Sequence, residues 1–587
     1  MSNLKKMALL ALMWPAFARA QQSVTVTGQK KASPWMKAES QHFIVFSNTS
    51  DDALRQLLDN LEKLDHVLRI QTRDYQIAAT ARNKITLYYH DRPGSFNDAV
   101  ADAPPEAIGL YNSCGHGVQG YAVHLEGIAG LRPEQLAKHA LNNSQTYIFE
   151  AYARHFLYRY TDIRMPANYI DGYAQYFSTV RFAGKQMSLG RVPASVARYI
   201  YFLDNGHGRQ LSYQDILAPA APNDTGVTAE PAVRLEYLAK SWLLTHYILS
   251  SDDSVGQRDR YLNQVHLDVP VGVAYAASFG QKLSELDTAM WRYRGKGVEV
   301  RQFEVPSLPS ARIDFTSLPD AVTDFLLADA ALKSCPGQQR GASVLAALSQ
   351  HAGGMPNNDA AWLTLSRAQV DWGKAEDALP YLNEAVRKDG AGAEAFYLLG
   401  TANLRLSAQR KEASYLQAAI GNLTRARSLD PDSAEVAYAL YQARLATGDK
   451  PDAATLEAAI AAWRNAHEVN THARAAALAF AYSGRVAEAD NALTLLAHSA
   501  LDPEQAAWAH TWQARLAKGV GYIELLAEMR REPDAAAPFK EWTVAGDDLM
   551  RTVEYNAGVE NTRKYLESMR LADPVSEKNF FVLPTKK

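Results

Sequence analysis

The sequence predicts an α+β domain over residues 38–296, followed by an all-α superhelix of repeated helix pairs over 319–530. Three observations support this. Up to Lys296, strand-like runs alternate with stretches of helical period. Residues 297–318 interrupt that pattern with Pro306 and Pro309 and read as a linker. Beyond them the chain turns alanine-rich, and large and small residues recur about 34 positions apart.

At 587 residues the chain exceeds one ordinary domain, and with 47% hydrophobic and 21% charged residues it can bury a sizeable core. Residues 1–20 read as a secretory signal: Lys5-Lys6, an apolar run Met7–Phe17, and Ala18-Arg19-Ala20 as the cleavage site. The run is too short to span a bilayer. The mature chain is therefore expected to be soluble and periplasmic or secreted. Cleavage removes Lys5, Lys6 and Arg19, taking the formal charge from −3 to −6. With no basic cluster, no nucleic-acid partner is expected. Export permits a disulfide, yet Cys114 and Cys335 fall in different predicted segments, and no bridge is expected. The motifs G-x-x-x-x-G-K-[ST], G-x-S-x-G and C-x-x-C do not occur, so no nucleotide, serine-hydrolase or thioredoxin-like chemistry is implied.

Residues 21–37 are polar and read as a leader. His42–Ser47 (HFIVFS) follows as a strand. Asp51–Ile70 is a helix, with Leu54, Leu57, Leu58, Leu61, Leu64 and Leu68 on one face. Lys84–Tyr89 is the next strand, closed by an Arg92-Pro93-Gly94 turn, and Gly120–Leu125 is a third. A long helix runs through Glu150, and Pro166 opens another.

These last two helices hold the most informative stretch, Ile148–Val180. Its first half reads Glu150-Ala151-Tyr152-Ala153-Arg154-His155-Phe156-Leu157. Its second reads Pro166-Ala167-Asn168-Tyr169-Ile170-Asp171-Gly172-Tyr173-Ala174-Gln175-Tyr176-Phe177. The pair resembles the two site helices of gluzincin-like zinc peptidases, H-E-Y-x-H-H-F/L and P-x-W-x-x-E-G-x-A-x-Y-F, with the metal-binding letters changed. By that resemblance Glu150 replaces the first histidine, Ala151 the catalytic glutamate, Arg154 the second histidine, and Asp171 the third ligand. Shifting the frame by one residue places Phe149 and Ala153 at the histidine positions. A zinc site needs three protein ligands, an open position for water and usually a carboxylate base. The resemblance thus implies a pseudo-peptidase without metal, cofactor or catalytic residues. Ser241-Trp242 with His246, and Phe279-Gly280 with Leu286 and Tyr293, extend it to residues 38–296.

Arg154 can reach Glu150 one turn back and Asp171 on the facing helix, forming an ionic staple where the metal would lie. His155, Tyr169 and Tyr173 are neighbours of these positions. A structural histidine and core tyrosines are the expected roles, although the tyrosines could floor a groove. His116, His124 and His139 lack ligand spacing, and His246 reads as a core histidine. An active hydrolase with a relocated set, Glu150, His155 and Asp171, is the alternative. It is disfavoured because His155 lies about 140° around the helix from Glu150.

In the second half, Trp362, Leu365, Ser366, Gln369, Gly373, Ala378, Leu382 and Ala385 form one unit. Phe396, Leu399, Gly400, Ala419, Leu423, Ala426 and Pro431 form the next, with seven residues inserted. Ala437, Leu440, Gly448 and Ala453 begin a third, and Phe480, Gly484, Ala489 and Leu493 a fourth. The pattern resembles tetratricopeptide repeats, which implies protein–protein interaction through the concave face and, given the −6 charge, a neutral or basic peptide. Residues 531–587 read as capping helices and a tail.

Overall fold

The computed structural model describes residues 35–76, 84–90, 107–123, 144–193, 196–197, 199–200, 211–217, 231–250, 254–318, 322–354, 358–498, 503–531 and 539–544. The expected signal, most of the expected leader, the expected turn at 92–94, His124 and His139 lie outside the described residues. None of the described helices is long and apolar enough to cross a membrane.

A seven-stranded sheet organises the first half, in the order β10-β4-β5-β3-β2-β1-β9. Its strands are β1 (Met36–Glu39), β2 (Phe43–Ser47), β3 (Ile85–His90), β4 (Ala107–Cys114), β5 (Gly117–Val123), β9 (Asp314–Ser317) and β10 (Phe539–Val544). β2, β3 and β5 run parallel, and the other pairings are antiparallel. Parallel neighbours need a crossover, and α1 (Asp51–Gln71) supplies it between β2 and β3. The first half is thus an α/β region built on a mixed sheet, in which strands and helices combine as expected. Ser50 caps α1 by accepting from the Ala53 amide, and the leucine stripe is buried.

Both faces of the sheet are covered. Phe43, Val45, Leu87, Tyr89 and Ala122 join the main core with α1 and with α2 (Ser144–Tyr160). The alternate set, Phe46, Tyr88, Leu110, Tyr121 and Val123, packs against Leu326 and Ala330 of α8 (Val322–Lys333), the first helix of the second half. The longer described helices of the first half are also α3 (Ala167–Ser178), α4 (Pro231–Leu249), α5 (Ser254–His266), α6 (Val271–Phe279) and α7 (Leu283–Gly295). A small sheet joins β6 (Arg181–Ala183), β7 (Gln186–Leu189) and β8 (Arg301–Glu304).

Two expectations about boundaries change. Residues 297–318 are not a free linker, because β8 pairs with β7 and β9 pairs with β1. The described part of 531–587 beyond Arg531 is a strand, not a helix: β10 returns to the edge of β4. An exposed edge strand is a template for unwanted pairing, and β10 covers that side of β4.

The second half is an array of six helix pairs among the described residues. After α8 come α9 (Gln338–His351), α10 (Asp359–Trp372), α11 (Ala375–Ala385), α12 (Ala393–Arg410), α13 (Ala413–Leu429), α14 (Ala434–Leu445) and α15 (Ala453–Asn465). The last two pairs are α16 (Asn470–Tyr482) with α17 (Val486–Ala497), and α18 (Pro503–Lys518) with α19 (Tyr522–Met529). The inserted residues lengthen α12 and α13 to 18 and 17 residues, against 14 and 11 in the preceding pair. Gly400 shows why small residues recur at crossings, since a Cβ there would lie 2.6 Å from Leu423 Cγ.

Candidate functional site

Pro166 precedes α3, and its fixed φ suits a helix entry. At Gly172 the helix α4 comes so close that a Cβ would meet Thr245 Oγ1 at 2.1 Å and the Ser241 carbonyl oxygen at 2.4 Å. That contact fixes the rotation of α3, and its neighbour Asp171 faces α2.

On α2, Arg154 donates to Asp171 Oδ1 from Nε at 3.2 Å and from a terminal nitrogen at 2.9 Å. The same terminal nitrogen lies 3.4 Å from Glu150 Oε1, one turn back. The side chains of Arg154, Asp171 and Glu150 keep 9%, 15% and 21% of their surface, so this is a shielded cluster rather than a surface pair. Burial raises the Glu150 pKa above the usual carboxylate value; Arg154 opposes the rise and the Asp171 charge adds to it. Glu150 and Asp171 are thus two carboxylates with a guanidinium already between them.

Ala151 lines a cavity of about 50 Å³ between α2 and the sheet, together with Tyr147, Ile148, Leu87, Leu110 and Ala122. A methyl group offers no proton acceptor there. His155 is buried and faces the sheet, with Nδ1 at 3.0 Å from Tyr111 Oη. Burial and then the Arg159 charge hold its pKa well below the ordinary imidazole value. The structure therefore brings Glu150, Arg154 and Asp171 together and places His155 in a second cluster. Tyr169 and Tyr173 are core residues rather than a groove floor: both are buried, their rings 5.8 Å apart, and Tyr173 packs on Phe177 at 4.6 Å. His246 is buried too, with Nδ1 2.8 Å from Tyr293 Oη and its pKa lowered by burial to about 4.

The second cluster joins the two halves. Glu468, from the turn between α15 and α16, has a side chain only 3% exposed, and its two oxygens lie 3.4 Å from Arg159 on α2. Tyr111 Oη is also 3.4 Å from Glu468, and His467 Nδ1 is 3.4 Å from the Tyr158 carbonyl oxygen.

A third cluster surrounds His116 and was missed in the sequence. Cys114 of β4 pairs with Gly117 of β5, so Gly115-His116 is the tip of a hairpin. His116 Nδ1 lies 2.9 Å from Glu435 of α14, and Nε2 3.5 Å from Asp371 of α10. Burial lowers its pKa, but Asp371 and Glu435 outweigh that and leave it raised. Arg367, 1% exposed, donates to Glu435 at 2.7 Å and to Glu394 at 3.1 Å, with Asp329 at 3.8 Å. Beside this cluster Cys114 and Cys335 form a disulfide, contrary to expectation, because the hairpin crosses over the end of α8. The partners of the tip lie on or beside the first helices of successive pairs. The chain's own hairpin tip sits against that face. The turn signal Gly115-His116-Gly117 between two strand-like runs was the available clue.

No protein-family profile matches the chain, and no curated protein sequence matches it. Among solved structures, TTC0263, a thermophilic TPR protein of Thermus thermophilus, matches 33% of this chain and 100% of its own at 17% identity and a TM-score of 0.28. Two structures of MamA match 30% and 34% of the chain, and 92% and 96% of their own. They are 24% and 22% identical, with TM-scores of 0.22 and 0.23. The description of the array as stacked helix pairs rests on its own helices.

Proposed function

We propose that this chain is an exported, non-enzymatic interaction protein. Its first half is a gluzincin-like domain in which Arg154 occupies the position of a metal ion. Its second half is a tetratricopeptide-type array through which it engages a protein or peptide. The supporting observation is the Arg154–Asp171 pair at 2.9 Å, with Glu150 at 3.4 Å. A zinc ion held by residues of two helices ties them together, and here a guanidinium joins the same two helices. A cation at this place also meets the electrostatic need of two shielded carboxylates, which zinc would otherwise have to meet. The hydrolase alternative requires His155 beside Glu150 and Asp171, whereas its ring contacts Tyr111 and Tyr152. The test is thermal melting of the native protein and of Arg154→Ala, each with and without zinc. The native melting temperature should not respond to zinc, and the variant should melt well below it. A zinc-dependent rise in the native protein counts against the reading.

A further inference from the structure

The hairpin tip meets the array through chemistry contributed by four separate helices. Asp329 comes from α8, Asp371 from α10, Glu394 from α12 and Glu435 from α14. The array answers these four carboxylates with Lys333, Arg367 and Arg405, which lie 2.7 Å from Asp329, 2.7 Å from Glu435 and 2.8 Å from Asp371. Four acids against three bases leave one negative charge, and the imidazole of His116 sits between two of the acids. Next to it, Val118 packs with Ala434, Ala466 and Val469 of the array. The Tyr121 hydroxyl lies 3.0 Å from the Ala330 carbonyl oxygen. Contacts between the halves include many polar and charged groups: Glu468 with Arg159, His467 with Tyr158, His498 with Asp268. The apolar packing of the sheet on α8 lies away from the tip, whose own contacts with the array are mostly polar, and polar contacts separate and re-form more readily than apolar ones. One disulfide crosses this interface, Cys114–Cys335, and it lies at the tip.

We infer that the first-helix face of the array is a recognition surface for a turn bearing a cationic side chain, that the chain seals this surface with its own hairpin tip, and that the Cys114–Cys335 disulfide is a redox latch on the seal. A dithiol supplies the two electrons. Its thiolate attacks one sulfur of the bridge, the Cys114–Cys335 bond breaks, the dithiol closes to its own disulfide, and both cysteines leave as thiols carrying two protons. With the bond gone, the tip beyond Ser113 is held by the His116 contacts and the Val118 packing, while the pairing of β10 with β4 and the Glu468 cluster keep the rest of the interface closed. This extends the interaction reading and does not depend on the Arg154 site being inactive.

Hydrogen exchange on the full-length chain tests it, comparing the oxidised protein, the protein treated with dithiothreitol, and Cys335→Ser without reductant. Amides at the tip, 113–119, and in the facing array segments, 328–333 and 367–372, should exchange at least tenfold faster in the second and third samples. Amides of α3 and α4 should accelerate far less than those at the tip. Adding a synthetic peptide of residues 109–123, with Cys114 replaced by Ser, should restore protection of the array segments in the reduced protein and in Cys335→Ser, with no effect on the oxidised protein. Unchanged exchange at the tip would overturn the latch. Acceleration of α3 and α4 as large as that at the tip would also overturn it, because the bond would then act through global stability alone. Failure of the peptide to protect the opened array overturns the recognition surface. None of these results bears on zinc binding or on the melting of Arg154→Ala, so the two proposals fail separately.

Discussion

A guanidinium between two carboxylates on facing helices alters what each helix can tolerate. Arg154 is 7% exposed, and removing it leaves Asp171 and Glu150 shielded and close without a cation between them. Breaking a buried ion pair by deleting one partner costs roughly 3–5 kcal/mol. Arg154→Ala should lose about that much in denaturant unfolding, and Arg154→Lys less, since an ammonium keeps the charge but not the fork. Two histidines set opposite pH limbs. His116 has a raised pKa in the fold, so its contribution is complete below the ordinary imidazole value of about 6.5 and fades as pH rises through the raised value. His155 is held neutral by burial, so its contribution is present above about 6.5 and fades as pH falls through its lowered value. His116→Ala should therefore flatten the alkaline side of the stability profile and His155→Phe the acid side. Equal effects of each on both limbs would contradict these assignments.

At the scale of elements, the helix α3 is placed by a missing side chain. Gly172→Ala gains about 1 kcal/mol of helix propensity, but the added methyl meets the Ser241 carbonyl oxygen at 2.4 Å, and backbone cannot turn aside. The clash wins, and a net loss of roughly 1–3 kcal/mol is expected from chemical denaturation. Most helices were legible in the sequence because one apolar face or one small residue per crossing suffices to mark them. The leucine stripe of α1 and the Gly400 crossing are examples. β4 was not legible. Both its faces are covered, so Leu110 and Tyr111 are buried side by side, and Asn112 and Ser113 are buried polar residues that mimic a loop. The Arg154 staple was readable because one helix spacing and one facing carboxylate define it. The His116 cluster was not, since its partners lie about 250 and 320 residues away and only the docked array supplies them.

For the whole molecule, the array is the second layer over the sheet, and the disulfide joins the layers across a sequence separation of 221 residues. Neither cysteine advertises this, because the proximity of β4 to the end of α8 comes from packing. Loop closure over that length implies up to about 5 kcal/mol of stabilisation in the chain-entropy account. Cys114→Ser with Cys335→Ser should lower the unfolding free energy by an amount up to that figure and leave the far-ultraviolet circular dichroism unchanged. A double variant as stable as the native protein would show that the bridge contributes nothing beyond the noncovalent interface.

The claim that a side chain, not a metal, joins α2 to α3 is tested most directly by metal content. Native protein purified without chelators, then dialysed against zinc and desalted, can be assayed by inductively coupled plasma mass spectrometry. The account predicts far less than one equivalent of zinc per chain, with no decrease on Asp171→Asn. One equivalent in the native protein, lost on Asp171→Asn, would contradict it.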